Sequence, residues 1–356
     1  MALFKFGRIT DVSNEKNKLL LPIEGYENQR LMSLQEAVKP IEGLFPEGSL
    51  QPKVITALGR NQNGITDLSA DEAAAIMLYT MEWSEREESL YYILNKTLRM
   101  ENRDNLKVWF PYLRLLIGAL IKLPTVDTQI YRGMNEAADN FYQKNSATTW
   151  WGFSSCTNER EVLEVNRFLG KTGNRTLFHI NSSTARNVIQ YSYYAGESEI
   201  LLLPGRFLKT VSCERQPDGL TIIELEEITP EFTLLALPDI RAWRQFGRGL
   251  SLIGICNSRN CVAHQQEVII PLNVQTYNVL TDTDISLCPT CRSYVDCTKL
   301  SFCACEWSLD GIKQIVPQAP TEFRQNWTLA RGNTLKPFDL TGVSWRKLIV
   351  EIRFID

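Results

Sequence analysis

Leu113-Arg114-Leu115-Leu116-Ile117-Gly118-Ala119-Leu120-Ile121-Lys122-Leu123-Pro124, followed by Thr125-Val126-Asp127-Thr128-Gln129-Ile130-Tyr131-Arg132-Gly133, is the stretch on which the fold turns. Its first half places Leu113, Leu116, Ile117 and Leu120 on one helical face. Pro124 lacks the N–H a helix needs and ends it. The second half has strand character. Upstream of this junction the chain reads as helices. Ser69 and Glu72 form an S-x-x-E capping box ahead of Ala73–Tyr79. Leu90, Leu94 and Leu98 recur at spacing four, and a short helix is expected near Leu34–Val38. Downstream, β-type runs follow at Thr176–Ile180, Glu199–Leu203, Phe207–Val211 and Leu220–Leu225, separated by Pro, Gly and Asn. Helices first and strands afterwards predict an α+β fold and not a parallel α/β sheet.

The cysteines are distributed unevenly. Only Cys156 and Cys213 precede residue 250, and the other seven fall between Cys256 and Cys305. That asymmetry predicts three segments: a lead-in over 1–55, a main domain over 56–245, and a small Cys-rich, mostly β module over 246–356. The net charge is -3, from 38 basic and 41 acidic residues, which gives no basic footprint for a nucleic acid. No apolar run approaches the length of a membrane span. The first residues, Met1-Ala2-Leu3-Phe4-Lys5-Phe6-Gly7-Arg8, carry no apolar h-region. The expectation is therefore a cytoplasmic protein, with a nuclear one or non-classical secretion as alternatives, with no membrane and no nucleic-acid partner, whose thiols are reduced or bind metal.

Three short elements carry chemistry: Tyr131-Arg132-Gly133, Phe153-Ser154-Ser155-Cys156-Thr157, and Gly196-Glu197-Ser198-Glu199-Ile200-Leu201-Leu202-Leu203-Pro204. Strand side chains alternate, so Glu197 and Glu199 are expected on one face. Two carboxylates held close oppose each other's ionisation, a cost tolerated where a cation sits between them. Ser155 and Thr157 share a face for the same reason. An Arg at a strand end binds phosphate bidentately, and a Gly beside it lets a ligand approach the backbone. Each element alone also reads as an ordinary polar strand end. Gly170-Lys171-Thr172 resembles the end of a P-loop, but Val165 stands where that loop needs Gly.

Taken together, aromatic-Arg-Gly, then F-x-S-x-[S/T], then E-x-E leading an apolar strand, resembles the arginine-serine-glutamate signature of the arginine-specific mono-ADP-ribosyltransferases. Asp71–Thr80, Leu90–Arg99 and Leu120–Pro124 are similar to the helices that precede it in eukaryotic members. The resemblance covers roughly residues 20–240. It implies a helical lobe packed on a split β-sheet core, NAD as co-substrate, and a protein arginine as acceptor. By residue, it implies that Arg132 holds the diphosphate and adjoining ribose of NAD, that the Gly133 backbone bonds the nicotinamide amide, and that Phe168 stacks on nicotinamide. Ser155 would position Glu199, which stabilises the oxocarbenium-like charge, while Glu197 orients the acceptor guanidinium and takes its proton. Cys156 departs from the usual Thr or Ser of the triplet. An NAD glycohydrolase, or a silent binding module of the same fold, are the alternatives.

In the C-terminal segment, Cys256, Cys261 and His264, then Cys288 and Cys291, then Cys297, Cys303 and Cys305, lie within fifty residues. Cysteines two or so apart present two thiolates to one tetrahedral zinc. These eight are candidate ligands for one or two structural zinc ions, which would supply folding energy to a small module.

Overall fold

The computed structural model describes residues 19–61, 68–163, 169, 172–194 and 198–355. The described residues up to Glu27, with Met32–Pro238, form one compact unit. Asn28–Leu31 with Asp239–Asp356 form a second.

The first unit begins with helices α1 (Leu34–Val38), α2 (Leu50–Arg60), α3 (Ala70–Thr80), α4 (Leu90–Leu98) and α5 (Phe110–Lys122). The expected capping box opens α3. Ser69 Oγ accepts from the Glu72 N–H at 3.3 Å, and Glu72 accepts from the Ser69 N–H at 3.0 Å. Such a cap contributes about 1 kcal/mol. Glu72 is buried, and Lys122 at the end of α5 neutralises it at 2.7 Å. The helix that Pro124 had to end stops at Lys122, with Leu123 already extended. No described helix is long and apolar enough to cross a membrane.

Strands β1 (Thr125–Met134), β2 (Ala147–Trp150), β3 (Ser154–Thr157), β4 (Arg175–Asn187), β5 (Glu199–Leu202), β6 (Arg206–Arg215) and β7 (Leu220–Glu227) make a seven-stranded sheet in the order β1-β3-β5-β4-β7-β6-β2. The sheet is split. β1 runs against β4 from Thr176 to Arg186, β7 runs alongside its first half from Arg175 to Asn181, and β5 meets its end at Arg186 and Asn187. β4 and β7 are parallel and the remaining neighbours antiparallel. Ile130, Trp150, Cys156, Phe178, Ile200, Leu202, Leu208, Ile223 and Leu225 fill one face as an apolar core. This is the α+β arrangement the sequence predicts.

The second unit holds β8 (Gly249–Ile255), β9 (Glu267–Leu272), β10 (Thr276–Asn278), β11 (Cys297–Cys303), β12 (Cys305–Gln314), β13 (Thr321–Ala330), β14 (Lys336–Asp339) and β15 (Ser344–Phe354). They form two four-stranded sheets, β10-β15-β12-β13 and β14-β11-β8-β9. Leu250, Leu252, Leu300 and Phe302 from one sheet pack in a single core with Trp307, Leu309, Leu348 and Val350 from the other. Phe302 and Trp307 stack at 4.1 Å. The expectation of a small module short of core meets a segment with an apolar core of its own.

Candidate active site

Register assembles the site. β3 lies against β5 with Thr157 opposite Glu199 and Cys156 opposite Ile200, and Tyr131 of β1 stands opposite Thr157. Tyr131, Thr157 and Glu199 therefore form one row across three strands, on the face away from the core. Ser155 sits on that same face opposite Leu201, while Cys156, Ile200 and Leu202 point into the core. Period-two alternation explains both sets. Burial pushes the Cys156 thiol up to about 12, outweighing the nearby Arg132, so it stays protonated.

Glu199 is 1% exposed. Its Oε2 accepts from Ser192 Oγ at 2.8 Å, and its backbone carbonyl accepts from the Val188 N–H. Ser192 in turn accepts from the Tyr194 N–H, and the Tyr193 N–H donates to Thr80 Oγ1 at the end of α3. The Tyr191–Tyr194 segment is thereby tied to both the carboxylate and the helical lobe. The expected bond from Ser155 to Glu199 is replaced. Ser155 Oγ is buried with no hydrogen-bond partner, and Ser192 supplies the hydroxyl. Local hydrogen bonding at a turn decided this, and strand spacing could not foresee it.

Arg132 is 1% exposed, lies over Trp150, and donates to the Ser155 carbonyl at 2.7 Å. It clamps β1 to β3 beside the row described above. Gly133 follows on β1 opposite Leu177. Asn95 of α4, which the sequence reading did not single out, holds the strand-entry residue Phe153 at both ends. It accepts from the Phe153 N–H at 2.8 Å and donates to its carbonyl at 3.2 Å. A Cβ on Gly152 would come within 3.1 Å of Asn95 Oδ1, so the small residue there keeps this contact open.

Glu197 and Phe168 lie outside the described residues. β5 begins at Glu199. Ser198, just ahead of β5, has φ +46°, in the left-handed region. Ser198 Oγ donates to Glu159 at 2.8 Å.

In the second unit, Cys256, Cys261, Cys288 and Cys291 come together, with all four sulfurs within 4.8 Å of one another. Two turns deliver them. After β8, Cys256 pairs with Gln265 and Gln266, and the Ala263 N–H points at Cys261 Sγ. Between β10 and β11, the Cys288 N–H donates to the Ser293 carbonyl and the Arg292 N–H to the Cys288 carbonyl. The other four expected ligands lie outside this group. His264 is exposed on the first turn. Cys297 donates to the Lys299 carbonyl and Cys303 to the Gly332 carbonyl, and burial pushes both thiols up to about 11. Cys305 is packed into the core. Strand positions gave these three an apolar environment in place of a cluster.

The split sheet thus brings a buried glutamate at the start of β5 beside the Ser155–Thr157 strand, with Arg132 on β1. Residues 60–232 match the model of the family described as NAD:arginine ADP-ribosyltransferase. Mav of Mycobacterium avium (strain 104), provisionally named an NAD(+)–arginine ADP-ribosyltransferase, is 36% identical over 112 residues, 31% of this chain. This chain spans only 13% of the length of that relative. Among solved structures, the HopU1 ADP-ribosyltransferase of Pseudomonas syringae pv. Tomato is similar at 17% identity with a TM-score of 0.43, covering 59% of this chain and 100% of that one. The Vis toxin of Vibrio splendidus is similar at 20% identity and 0.38, covering 54% and 92%. The eukaryotic mono-ADP-ribosyltransferase ART2.2 is similar at 16% and 0.40, covering 60% and 98%.

Proposed function

We propose that the chain transfers ADP-ribose from NAD to a protein arginine and releases nicotinamide. The observation that carries this reading is Glu199: a buried carboxylate at the mouth of β5, beside Thr157 and Tyr131 and held by Ser192. Loss of nicotinamide breaks the bond between its ring nitrogen and C1′ of the ribose, leaving oxocarbenium-like charge at C1′. A preorganised carboxylate aimed at developing charge is the strongest single contribution a site of this kind makes. Glu199 would hold the ribose 2′-hydroxyl and stabilise that charge. Glu197 would orient the acceptor guanidinium and take the proton released as its nitrogen bonds to C1′.

Arg132, Gly133, Ser155 and Phe168 complete the NAD set. Ser155, with a buried hydroxyl that makes no hydrogen bond in the protein, has a donor available for the co-substrate. The resemblance assigns Arg132 to the diphosphate of NAD. Its burial and its bond to the Ser155 carbonyl support a bracing contribution as well. Ser192 is a positioning residue that acts through Glu199. The catalytic domain takes in residues 56–245, after the lead-in over 1–55. The acceptor is a protein with an accessible arginine, and the absence of a basic footprint supports a reading without nucleic acid.

The module over 246–356 would bind one structural zinc at Cys256, Cys261, Cys288 and Cys291. Sulfurs around a tetrahedral zinc stand about 3.8 Å apart. The Cys256–Cys291 and Cys261–Cys288 separations are 3.7 and 3.9 Å. A closed four-sulfur site leaves no open coordination position, so the metal would hold two turns together and take no part in the transfer. The test of the activity is incubation with NAD and agmatine, followed by mass spectrometry. The expected products are nicotinamide and ADP-ribosylated agmatine. Nicotinamide with free ADP-ribose alone would favour a glycohydrolase, and no nicotinamide a silent module.

A further inference from the structure

β12 and β13 fall out of step at one point. Trp307 stands opposite Thr328 and Leu309 opposite Gln325, so the single residue Ser308 faces two, Asn326 and Trp327. A bulge of this kind kinks a strand and re-aims its side chains. Phe323 packs against the core, as a regular strand would also require of Trp327 four residues on. Trp327 instead is 38% exposed. A cavity of about 330 Å³ opens beside it, walled by Trp327, Ser308, Asp310, Gln325, Asn326 and Glu351 among others. That volume falls at the lower end of small-molecule sites, which begin near about 300 Å³.

The chemistry of these walls is specific. The Arg353 guanidinium lies 3.7 Å from the Trp327 ring centroid and is not among the cavity walls, so it fixes the indole from outside. The indole is a flat apolar plate. Its surroundings are polar but close to charge-neutral. Asp310 is paired with Lys347 at 2.5 Å and Arg324 at 3.3 Å, and Glu351 accepts from Ser308. A phosphate would meet the carboxylates of Asp310 and Glu351, and a cation would meet the Arg324 guanidinium, with Lys347 behind Asp310. A neutral pyranose meets neither penalty. It has one face of C–H bonds to lie on a ring and a rim of hydroxyls for carboxylate, amide and hydroxyl partners. The Asn326 side-chain amide, on the bulge itself, is exposed and makes no side-chain hydrogen bond to the protein.

We propose that this cavity on the outer face of the β10-β15-β12-β13 sheet is a saccharide site, taking one or two rings of a neutral glycan. Trp327 is the stacking platform, and Asn326, Ser308 and Glu351 read the hydroxyls. The module would then supply binding to glycosylated material, independently of the transferase reading.

Saturation-transfer NMR on the full chain tests this, with lactose, maltose, cellobiose, chitobiose and mannobiose as probes and ADP-ribose and agmatine as charged comparators. The expected result is transfer to the C–H face of at least one disaccharide, with Kd on the order of 1 mM. Trp327→Ala should weaken that binding by about tenfold, consistent with loss of one aromatic stack. Asn326→Ala, at an exposed position that leaves the core intact, should weaken it several-fold. Nicotinamide release from NAD should be unchanged in both variants. The proposal is overturned if none of the five disaccharides binds, or if binding survives both substitutions undiminished. It is equally overturned if ADP-ribose or agmatine is the ligand that Trp327→Ala releases.

Discussion

The Glu199 site and the four-cysteine group are built by opposite means. Around Glu199, three strands that are far apart in sequence deliver one residue each, and hydrogen-bond register decides which side chains meet. Around Cys256, Cys261, Cys288 and Cys291, two tight turns each deliver a pair, and strand register plays little part. The difference teaches where spacing is informative. On a turn, spacing alone brings two sulfurs together. In a sheet, spacing fixes only the face, and the partner strand decides the contact. Cys297, Cys303 and Cys305 illustrate the second case: cysteines at suggestive intervals, which their strands carry apart from the cluster, Cys305 into the apolar core, Cys297 against it and Cys303 onto the Gly332 carbonyl.

The largest expected effect comes from breaking the first site at its centre. Glu199→Gln keeps the shape and removes the charge, and nicotinamide release should fall by about a thousandfold, the scale for losing a preorganised electrostatic partner. Activity in that variant within a few-fold of the parent chain would remove the mechanism. Glu197→Gln separates the two chemical roles. Agmatine modification should drop by about a hundredfold or more, as for a lost general base, while nicotinamide release persists in part. Equal loss of both would merge the roles.

The second site should break differently. Cys288→Ser should lower zinc content, measured by mass spectrometry of the metal, from one per chain toward none. It should also lower the melting temperature of the module, with nicotinamide release from NAD retained. An unaltered metal content would show that the four sulfurs hold no zinc. The smallest effect sharpens the positioning role of Ser192. Removing its bond to a buried carboxylate is worth about 1.5–3 kcal/mol, so Ser192→Ala should lower kcat about ten- to hundredfold. The KM for NAD should hold, and Ser192→Thr should restore most of the rate. A purely structural role would lower the folded fraction and leave kcat per folded molecule unchanged.

Much of this architecture was legible in advance. The capping box at Ser69, the stop before Pro124 and the change of texture after it marked the helical lobe and the onset of the sheet. Residue types also marked Arg132, Ser155 and Glu199; alternation put Ser155 with Thr157, and only the pairing of β3 with β5 sets that face beside Glu199. What escaped were contacts made by turns and by distant elements. Ser192 lies in a run of tyrosines with no periodic signal, and its bond to Glu199 exists only once the chain folds back from Val188. Asn95 sits in an amphipathic helix, where a polar residue reads as solvent-facing, yet it is buried and holds Phe153. The left-handed backbone of Ser198, just ahead of β5, is likewise disclosed by no pattern of side-chain polarity.

One measurement bears most directly on the central claim that Glu199 breaks the glycosidic bond of NAD. Purified chain and its Glu199→Gln variant, matched by circular dichroism, are incubated with NAD and agmatine, and nicotinamide is followed over time. The account predicts steady release with ADP-ribosylated agmatine for the parent chain and neither product for the variant. Comparable nicotinamide release from both would contradict it.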